Sequence, residues 1–143
     1  AQFLSINRRY AHKTYILNPE KEVNVPQFKF VNKLIIYVTC QACKRKIHDV
    51  SQDKNIKCKN CGARQRQTDC KREASVQLMA AIENKDVWLT AFTDVIEDIL
   101  AASDINLKND SDAIEDVFLD VKNVTFKYNA NRNVITNILS VSL

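Results

Sequence analysis

The alternation of apolar and polar residues predicts a chain dominated by β-strands. Residues 28–39 are rich in β-branched and aromatic side chains and predict one or two strands. Residues 74–82 and 87–92 predict two more strands, and the polar stretch between them predicts a hairpin turn. Residues 124–128 and 134–141 flank an Asn-rich turn, so a second hairpin is expected near the end of the chain.

Two helices are predicted between these hairpins. Apolar residues recur at helical spacing within residues 95–100 and 114–121, which gives each stretch one apolar face. Each stretch follows side chains that can cap a helix N-terminus, namely Thr93 or Asp94 for the first and Ser111 or Asp112 for the second. The acidic residues at both helix starts also favour the positive end of the helix dipole.

The order of these elements indicates an OB-fold barrel. Five strands with helices between the third and the fourth are the arrangement of this fold, whose open face binds single-stranded nucleic acid or oligosaccharide. At 143 residues the chain has the length of one domain with a real core. We therefore expect a mainly β, five-stranded OB-fold domain over residues 1–143. Residues 1–27 show no clean period and are expected to form a packed lead-in or an arm.

Two CxxC pairs follow the first strand region. Cys40 and Cys43 are separated from Cys58 and Cys61 by fourteen residues. This spacing is typical of a ribbon in which two short turns close around one tetrahedral metal ion. Four thiolates leave no open coordination position, so we expect one structural zinc ion. The ribbon, at about residues 40–61, is then an insertion between the first and second barrel strands.

Other uses of the cysteines are less favoured. Five cysteines is an odd number and nothing at the N-terminus resembles a signal peptide, which argues against disulfide bonds. Iron suits the same four sulfurs as zinc, and metal analysis distinguishes the two. His48 could replace a cysteine, but a surface histidine is the simpler interpretation because four thiolates already complete the shell. Cys70 is expected to be a small buried hydrophobe.

Composition and charge narrow the function. A single glycine excludes Rossmann and P-loop phosphate cradles, and no apolar run is long enough to span a membrane. The net charge is +4, but residues 40–73 carry +6 and residues 86–120 carry −9. The basic ribbon suits a polyanion, although such charges also keep a small exposed ribbon soluble. An enzyme is not expected, because no nucleophile can be paired with a base.

The chain resembles a known family. Its ribbon is inserted after a first strand and is followed by EASVQLMAAIENKDVWLTAFTDVIEDIL and then by DAIEDVFLDV. This order resembles the C-terminal DNA-binding OB domain of the replication protein A large subunit, over roughly residues 28–143. The Asn- and Lys-rich, glycine-poor composition is also similar to the telomerase-associated paralogue in ciliates. The resemblance implies a structural zinc ribbon, single-stranded DNA as ligand, a nuclear setting, and other OB-fold domains or subunits of such a complex as partners.

Strand alternation and the resemblance together nominate DNA contacts. Alternation within residues 87–92 places Trp88 and Phe92 opposite small aliphatic residues that belong inside the barrel. In the family, aromatics at the end of this strand and on the fourth strand stack on bases, which implies Phe92 and Phe126, with Tyr128 on the same face as Phe126. For each aromatic the alternative is a core position. The basic residues expected to line a phosphate path are Lys122, Lys127, Arg132, Arg64, Arg66, Lys71 and Arg72.

Three functions are compatible with these features. The first is a single-stranded DNA-binding module that holds telomeric or replication-intermediate DNA. The second is an assembly module of a multi-subunit DNA-maintenance or telomerase complex, with little DNA affinity. The third is a zinc-ribbon factor of the transcription or RNA-processing kind, in which the ribbon alone suffices for binding. Titration with a G-rich telomeric repeat, poly-dT and a duplex separates them.

Overall fold

The computed structural model describes residues 20–48 and 54–143. In these residues the strands are β1 (Glu20–Val25), β2 (Phe30–Thr39), β3 (Lys46–Ile47), β4 (Asn55–Lys57), β5 (Arg64–Arg66), β6 (Lys71–Ile82), β7 (Lys85–Phe92), β8 (Lys122–Asn129) and β9 (Val134–Ser142). The helices are α1 (Thr93–Ala101) and α2 (Ser111–Asp120), and a 3-10 turn at Gln67–Asp69 precedes β6. The part of the predicted lead-in at residues 1–19 lies outside the described residues, whereas β1 is a strand not predicted from the sequence.

Seven strands form one mixed sheet in the order β1-β8-β9-β7-β6-β2-β3, and β4 and β5 pair separately. Among the described strands, every ladder is antiparallel except the short one between β7 and β9, which pairs Thr90 with Val134 in parallel. The prediction of a mainly β chain is confirmed. A closed barrel of five strands is not shown, because the sheet has two free edges and the described residues contain more strands than predicted.

The connection between β1 and β2 forces the sheet to curl. These strands are first and sixth in the sheet order, which in a flat sheet would separate them by five spacings of about 4.8 Å, or about 24 Å. The chain allows at most about 18 Å between Val25 and Phe30. Backbone hydrogen bonds tie the connection to both flanks, from Asn123 N–H to Pro26 O at 3.0 Å and from Lys29 N–H to Met79 O at 2.7 Å. The sheet therefore bends around its apolar face.

One core fills the space between this inner face and the two helices. Alternate residues of β6, from Ala74 to Ile82, point into it, as do Phe28 and the apolar faces of both helices. The predicted helical stripes are therefore confirmed as core-facing. A smaller, separate cluster lies in the ribbon and contains Val38, Cys40, Ile47, Ile56, Cys58 and Cys70.

The helix caps differ from the prediction. The side chain of Asp110, one residue before the predicted Ser111, accepts the N–H of Ala113 at 2.9 Å and caps α2. At α1 the N-cap position is Phe92, whose side chain makes no capping hydrogen bond. The hydroxyl of Thr93 instead accepts the N–H of Ala74 at 3.1 Å, so it ties α1 to β6. Thr93 was thus misassigned because its hydroxyl bonds across the sheet rather than along its own helix.

The hairpin between β6 and β7 turns on two residues in the left-handed region. Ile82 pairs with Lys85, which leaves Glu83 at φ 51° and Asn84 at φ 64° as the turn. This is the sign pattern of a type I′ turn, for which Asn-Gly is the preferred sequence. A side chain with a Cβ atom costs roughly 1–2 kcal/mol in this conformation. The backbone of this turn is therefore strained at Glu83 and Asn84.

Replacing Glu83 by Asn and Asn84 by Gly should stabilise the protein. We expect the free energy of unfolding of the metal-loaded chain to rise by about 1 kcal/mol, because both residues then suit their backbone. Urea unfolding followed by circular dichroism measures the change. Asn84→Val is the opposite control and should lower the unfolding midpoint. Equal midpoints for both variants would contradict a type I′ turn at this position.

Candidate metal centre and nucleic-acid face

Each CxxC pair lies at the tip of a short hairpin, and the two tips have the same hydrogen-bond pattern. At the first tip, Lys44 N–H donates to Cys40 O and Cys40 N–H donates to Arg45 O, both at 2.9 Å. The second tip repeats these two bonds around Cys58, at 2.8 and 2.9 Å. The residue after each pair has a positive φ, 66° at Lys44 and 79° at Gly62. The only glycine of the chain therefore stands where the second turn favours it.

The two tips bring the four predicted sulfur atoms together. All four lie within 4.8 Å of one another. The Sγ atoms of Cys40 and Cys61 are 3.7 Å apart and those of Cys43 and Cys58 are 3.6 Å apart, far beyond the length of about 2.05 Å of a disulfide bond. Sulfurs at about 2.3 Å from a tetrahedral ion are about 3.8 Å from one another. The cluster could therefore hold one metal ion, and zinc fits its donors and spacing.

Gln65 links this cluster to the rest of the ribbon. Its Nε2 donates to the Sγ of Cys40 at 3.2 Å, and its Oε1 accepts the N–H of Gln41 at 2.9 Å. The same Oε1 lies 3.3 Å from the Sγ of Cys70. Cys70 is buried, as predicted, and packs in the ribbon cluster rather than among the ligands. Gln65 was missed because a glutamine on a basic strand carries no sequence signal of such a role.

Hydrogen bonds and crowding separate the pKa values of the thiols. The N–H of Cys43, followed by the Gln65 amide, lowers the pKa of Cys40 to about 6. The N–H of Ala63 lowers the pKa of Cys61, but desolvation and the neighbouring sulfurs outweigh it and raise the pKa to about 11. Additional negative charge is thus unfavourable among these sulfurs without a cation. A bound dication removes that penalty and deprotonates the remaining thiols.

Replacing Gln65 by Ala should weaken metal binding. Cys40 loses its side-chain donor, and loss of such an outer partner typically costs about 10- to 100-fold in metal affinity. Competition with a chromophoric chelator measures the change. Thr68→Ala, at an exposed position of the adjacent 3-10 turn, is the matched control and should bind as the original chain does. Unaltered affinity in Gln65→Ala would show that the backbone N–H groups suffice.

The outer face of β2, β6 and β7 carries exposed apolar residues in register. The cross-strand pairs form three rows: Phe30, Met79 and Trp88; Asn32, Gln77 and Thr90; Ile35, Ser75 and Phe92. The first and third rows expose large apolar side chains: Phe30 by 58%, Trp88 by 39%, Ile35 by 47% and Phe92 by 52%. The middle row is polar. The prediction that Trp88 and Phe92 leave the core side of β7 agrees with this arrangement.

A bulge in β2 puts Phe30 and Ile35 on the same face. These residues are an odd number of positions apart, so regular alternation would place them on opposite faces. The register shifts between Asn32 and Ile35, and Lys33 has a φ of 54°. The extra residue of a bulge resets the alternation. Phe30 and Ile35 were therefore missed, because the sequence pattern gives no sign of where a bulge lies.

The aromatics of β8 occupy the core. Phe126 is fully buried, and its ring centroid lies 6.0 Å from that of Phe28 and 6.1 Å from that of Tyr128. Tyr128 is also buried. Both residues thus take the core position that was the alternative to base stacking, and neither offers a ring face to a base. The implied contacts of Phe126 and Tyr128 are corrected accordingly.

The seven predicted phosphate contacts are spread over the fold. Lys122, Lys127 and Arg132 lie on the β8–β9 hairpin, Arg64 and Arg66 on β5, and Lys71 and Arg72 at the start of β6. The Nε of Arg72 donates to Leu107 O at 2.8 Å and so ties β6 to the connection between the helices. Lys71 is exposed at the ribbon end of β6, with its Nζ 3.4 Å from Glu73. The structure therefore does not bring all seven into one path.

The outer face meets the ribbon at Tyr37. The Nζ of Lys46 lies 4.7 Å from the centroid of the Tyr37 ring, and the ring of His48 lies 5.6 Å from it. Tyr37 also lines a shallow cleft with Phe92 and Lys71 at the end of β7. His48 is exposed and lies outside the sulfur cluster, in line with a surface histidine. The apolar rows, the cleft and the ribbon thus form one continuous surface.

No model of a known protein family matches the chain, and a search of curated proteins finds no match either. Within residues 20–48 and 54–143, neither helix is long and apolar enough to cross a membrane. What points to a function is the site itself, a four-thiolate cluster beside an exposed aromatic sheet face.

Proposed function

We propose that this chain is a single-stranded DNA-binding module whose outer sheet face stacks bases. The observation that carries the proposal is the pair of exposed apolar rows on β2, β6 and β7, which include the rings of Phe30, Trp88 and Phe92. Aromatic side chains beside cationic residues are the means by which single-strand-binding proteins hold unpaired bases. Lys71 and Lys46 supply such charges where the face meets the ribbon.

The spacing of the aromatics supports two separate stacking points. Trp88 and Phe92 are four residues apart on one strand, which is about 13 Å at 3.3 Å per residue. One base cannot cover both rings, so each ring takes a different base. The polar row between them can contact base edges. There the Oδ1 of Asn32 accepts the N–H of Lys33 at 2.9 Å, which leaves its NH₂ group to donate to a base.

The proposal includes an OB-fold and its family. In it, β1 and β2 are two halves of one bent first strand, which pairs with β8 through one half and with β6 through the other. The barrel order is then that of the OB-fold, with the ribbon inserted between its first and second strands. The metal is zinc, and the chain is a relative of the replication protein A large subunit or of its telomerase paralogue. Its setting is the nucleus, beside other OB-fold domains or subunits.

Binding to labelled oligonucleotides tests the proposal. Fluorescence anisotropy at low salt compares a telomeric repeat, poly-dT, RNA of the same sequence and a duplex. We expect salt-sensitive binding to the single DNA strands and at least about tenfold weaker binding to the duplex, because stacking requires unpaired bases. Absence of binding to any single strand at low salt would overturn the proposal and favour the assembly module. Tighter binding to the G-rich repeat than to poly-dT would favour the telomerase paralogue.

A further inference from the structure

We infer that the ribbon holds a second part of the binding site, a cationic cavity that takes phosphate groups of a DNA strand leaving the sheet face. This inference rests on the proposed function. The cavity has a volume of about 620 Å³ and lies among residues of β3, of β4, of β5 and of both CxxC tips. Its basic lining residues are Arg45, Lys46, His48, Lys57, Lys59 and Arg64. Among the described residues that line it, none is acidic.

Two of the basic residues of the cavity, Lys57 and Arg64, face each other. Lys57 and Arg64 are direct cross-strand partners on β4 and β5, where like charges destabilise a ladder. In the described part of the chain, no carboxylate forms an ion pair with either of them or with Arg45. By contrast, Arg66 and Lys71 each have an acidic partner within 4.0 Å. A bound anion would therefore relieve a repulsion that the fold itself leaves in place.

Part of the cavity wall belongs to the buried apolar cluster of the ribbon. Ile47 and Ile56 line it and belong to the buried cluster of the ribbon. Cys58 lines it as well, so a metal ion held by the four thiolates would fasten one wall. A cluster of cations on a rigid base binds phosphate without a large ordering cost. This role gives the metal site a function in binding beyond local stability.

The position of the cavity identifies a strand of DNA as the source of the phosphate. Lys46 and His48 line the cavity and also contact the ring of Tyr37, at the end of the outer sheet face. A strand with a base on Phe92 reaches Tyr37 next, because both residues line the same cleft. The following phosphates then arrive at the cavity. The ribbon thus lengthens the footprint of the sheet face.

The double variant Lys57→Gln with Arg64→Gln tests this inference in the full, metal-loaded chain. Each phosphate contact on a single strand contributes about 0.7 to the slope of log K against log salt, so the slope should fall by about 1.4 for an oligonucleotide of about twenty nucleotides. Affinity for an oligonucleotide of about five nucleotides, which covers only the sheet face, should not change. Metal content is measured on the same samples to show that the ribbon is intact.

Lys44→Gln with Lys54→Gln is the matched control. Both lysines are exposed on the same ribbon, and neither lines the cavity. The control should retain the original slope of log K against log salt. That result would show that phosphate binds at the cavity and not merely to the general positive charge of the ribbon. The inference about the cavity would be overturned if both double variants lost the same slope, or if Lys57→Gln with Arg64→Gln lost none. In either case, binding of the short oligonucleotide would still support the proposed function. If the original chain bound neither the short nor the long oligonucleotide, the proposed function itself would be overturned.

Discussion

Replacement of Trp88 and Phe92 by Ala should remove most of the affinity for single-stranded DNA. Stacking on an aromatic side chain contributes about 1–3 kcal/mol per base, so the pair should cost about 2–6 kcal/mol. This corresponds to an increase of about 30-fold to about 20,000-fold in the dissociation constant. The two residues are about 13 Å apart along β7, a distance at which substitution effects usually add. Anisotropy titration with an oligonucleotide of about twenty nucleotides measures the loss.

Two exposed leucines provide the control for this pair. Leu119 lies on α2 and Leu139 on β9, and both are exposed to a similar degree as Trp88. Leu119→Ala with Leu139→Ala removes apolar surface of the same kind outside the three rows and should leave DNA affinity unaltered. If the Trp88 and Phe92 variant is folded and metal-loaded yet binds as the original chain does, the outer face of β2, β6 and β7 is not the binding surface.

Local patterning was sufficient to predict most of the sheet but not its edge. β6, β7 and β8 alternate over several residues with one face in the core, so their period is visible in the sequence. β9 was predicted from its β-branched residues, although its burial does not alternate regularly. β1 has only Val23 and Val25 as apolar residues, and within the described chain it pairs with β8 alone. Two alternate apolar residues are too few to distinguish a strand from a chance pattern. The curl of the sheet could not be predicted from the sequence either, because it depends on which strands pair with one another.

Phe126 shows how a resemblance can outweigh a local pattern. On β8, Val124, Phe126 and Tyr128 form one face, and Thr125 and Lys127 belong to the other. Read alone, this alternation places the aromatics in the core, where the structure has them. The resemblance moved Phe126 to the surface. On β7 the small Leu89 and Ala91 identified the inner face, and there pattern and resemblance agreed.

The metal cluster was predictable for a different reason. Its four ligands follow from a covalent spacing, since two CxxC tips can close on one ion wherever the chain between them permits. Gln65 and the Lys57–Arg64 pair depend instead on the register of β4 and β5 and on side-chain packing. The sequence pattern does not predict how β4 and β5 pair residue by residue. The sequence therefore locates the metal centre but not the groups that tune it or the cavity beside it.

Replacing Cys58 by Ala should remove the metal and unfold the ribbon. Cys58 is 2% exposed and belongs to both the sulfur cluster and the apolar cluster of the ribbon. That apolar cluster is too small to fold a segment alone, whereas a structural zinc ion contributes about 10–16 kcal/mol in small domains. We expect the metal content to fall from one ion per chain to none. Amide hydrogen exchange should then show loss of protection in the ribbon.

The separation of the two apolar clusters determines how far that damage spreads. The sheet core shares no buried residue with the ribbon cluster, so β6 to β9 should keep their exchange protection. DNA binding should fall for long oligonucleotides and persist for those that cover only the sheet face. Cys70→Ala is the control, because Cys70 lies in the same apolar cluster but outside the sulfur set. The Cys70→Ala variant should retain one ion per chain. If Cys58→Ala also retained one ion per chain, the assignment of Cys58 as a ligand would be refuted.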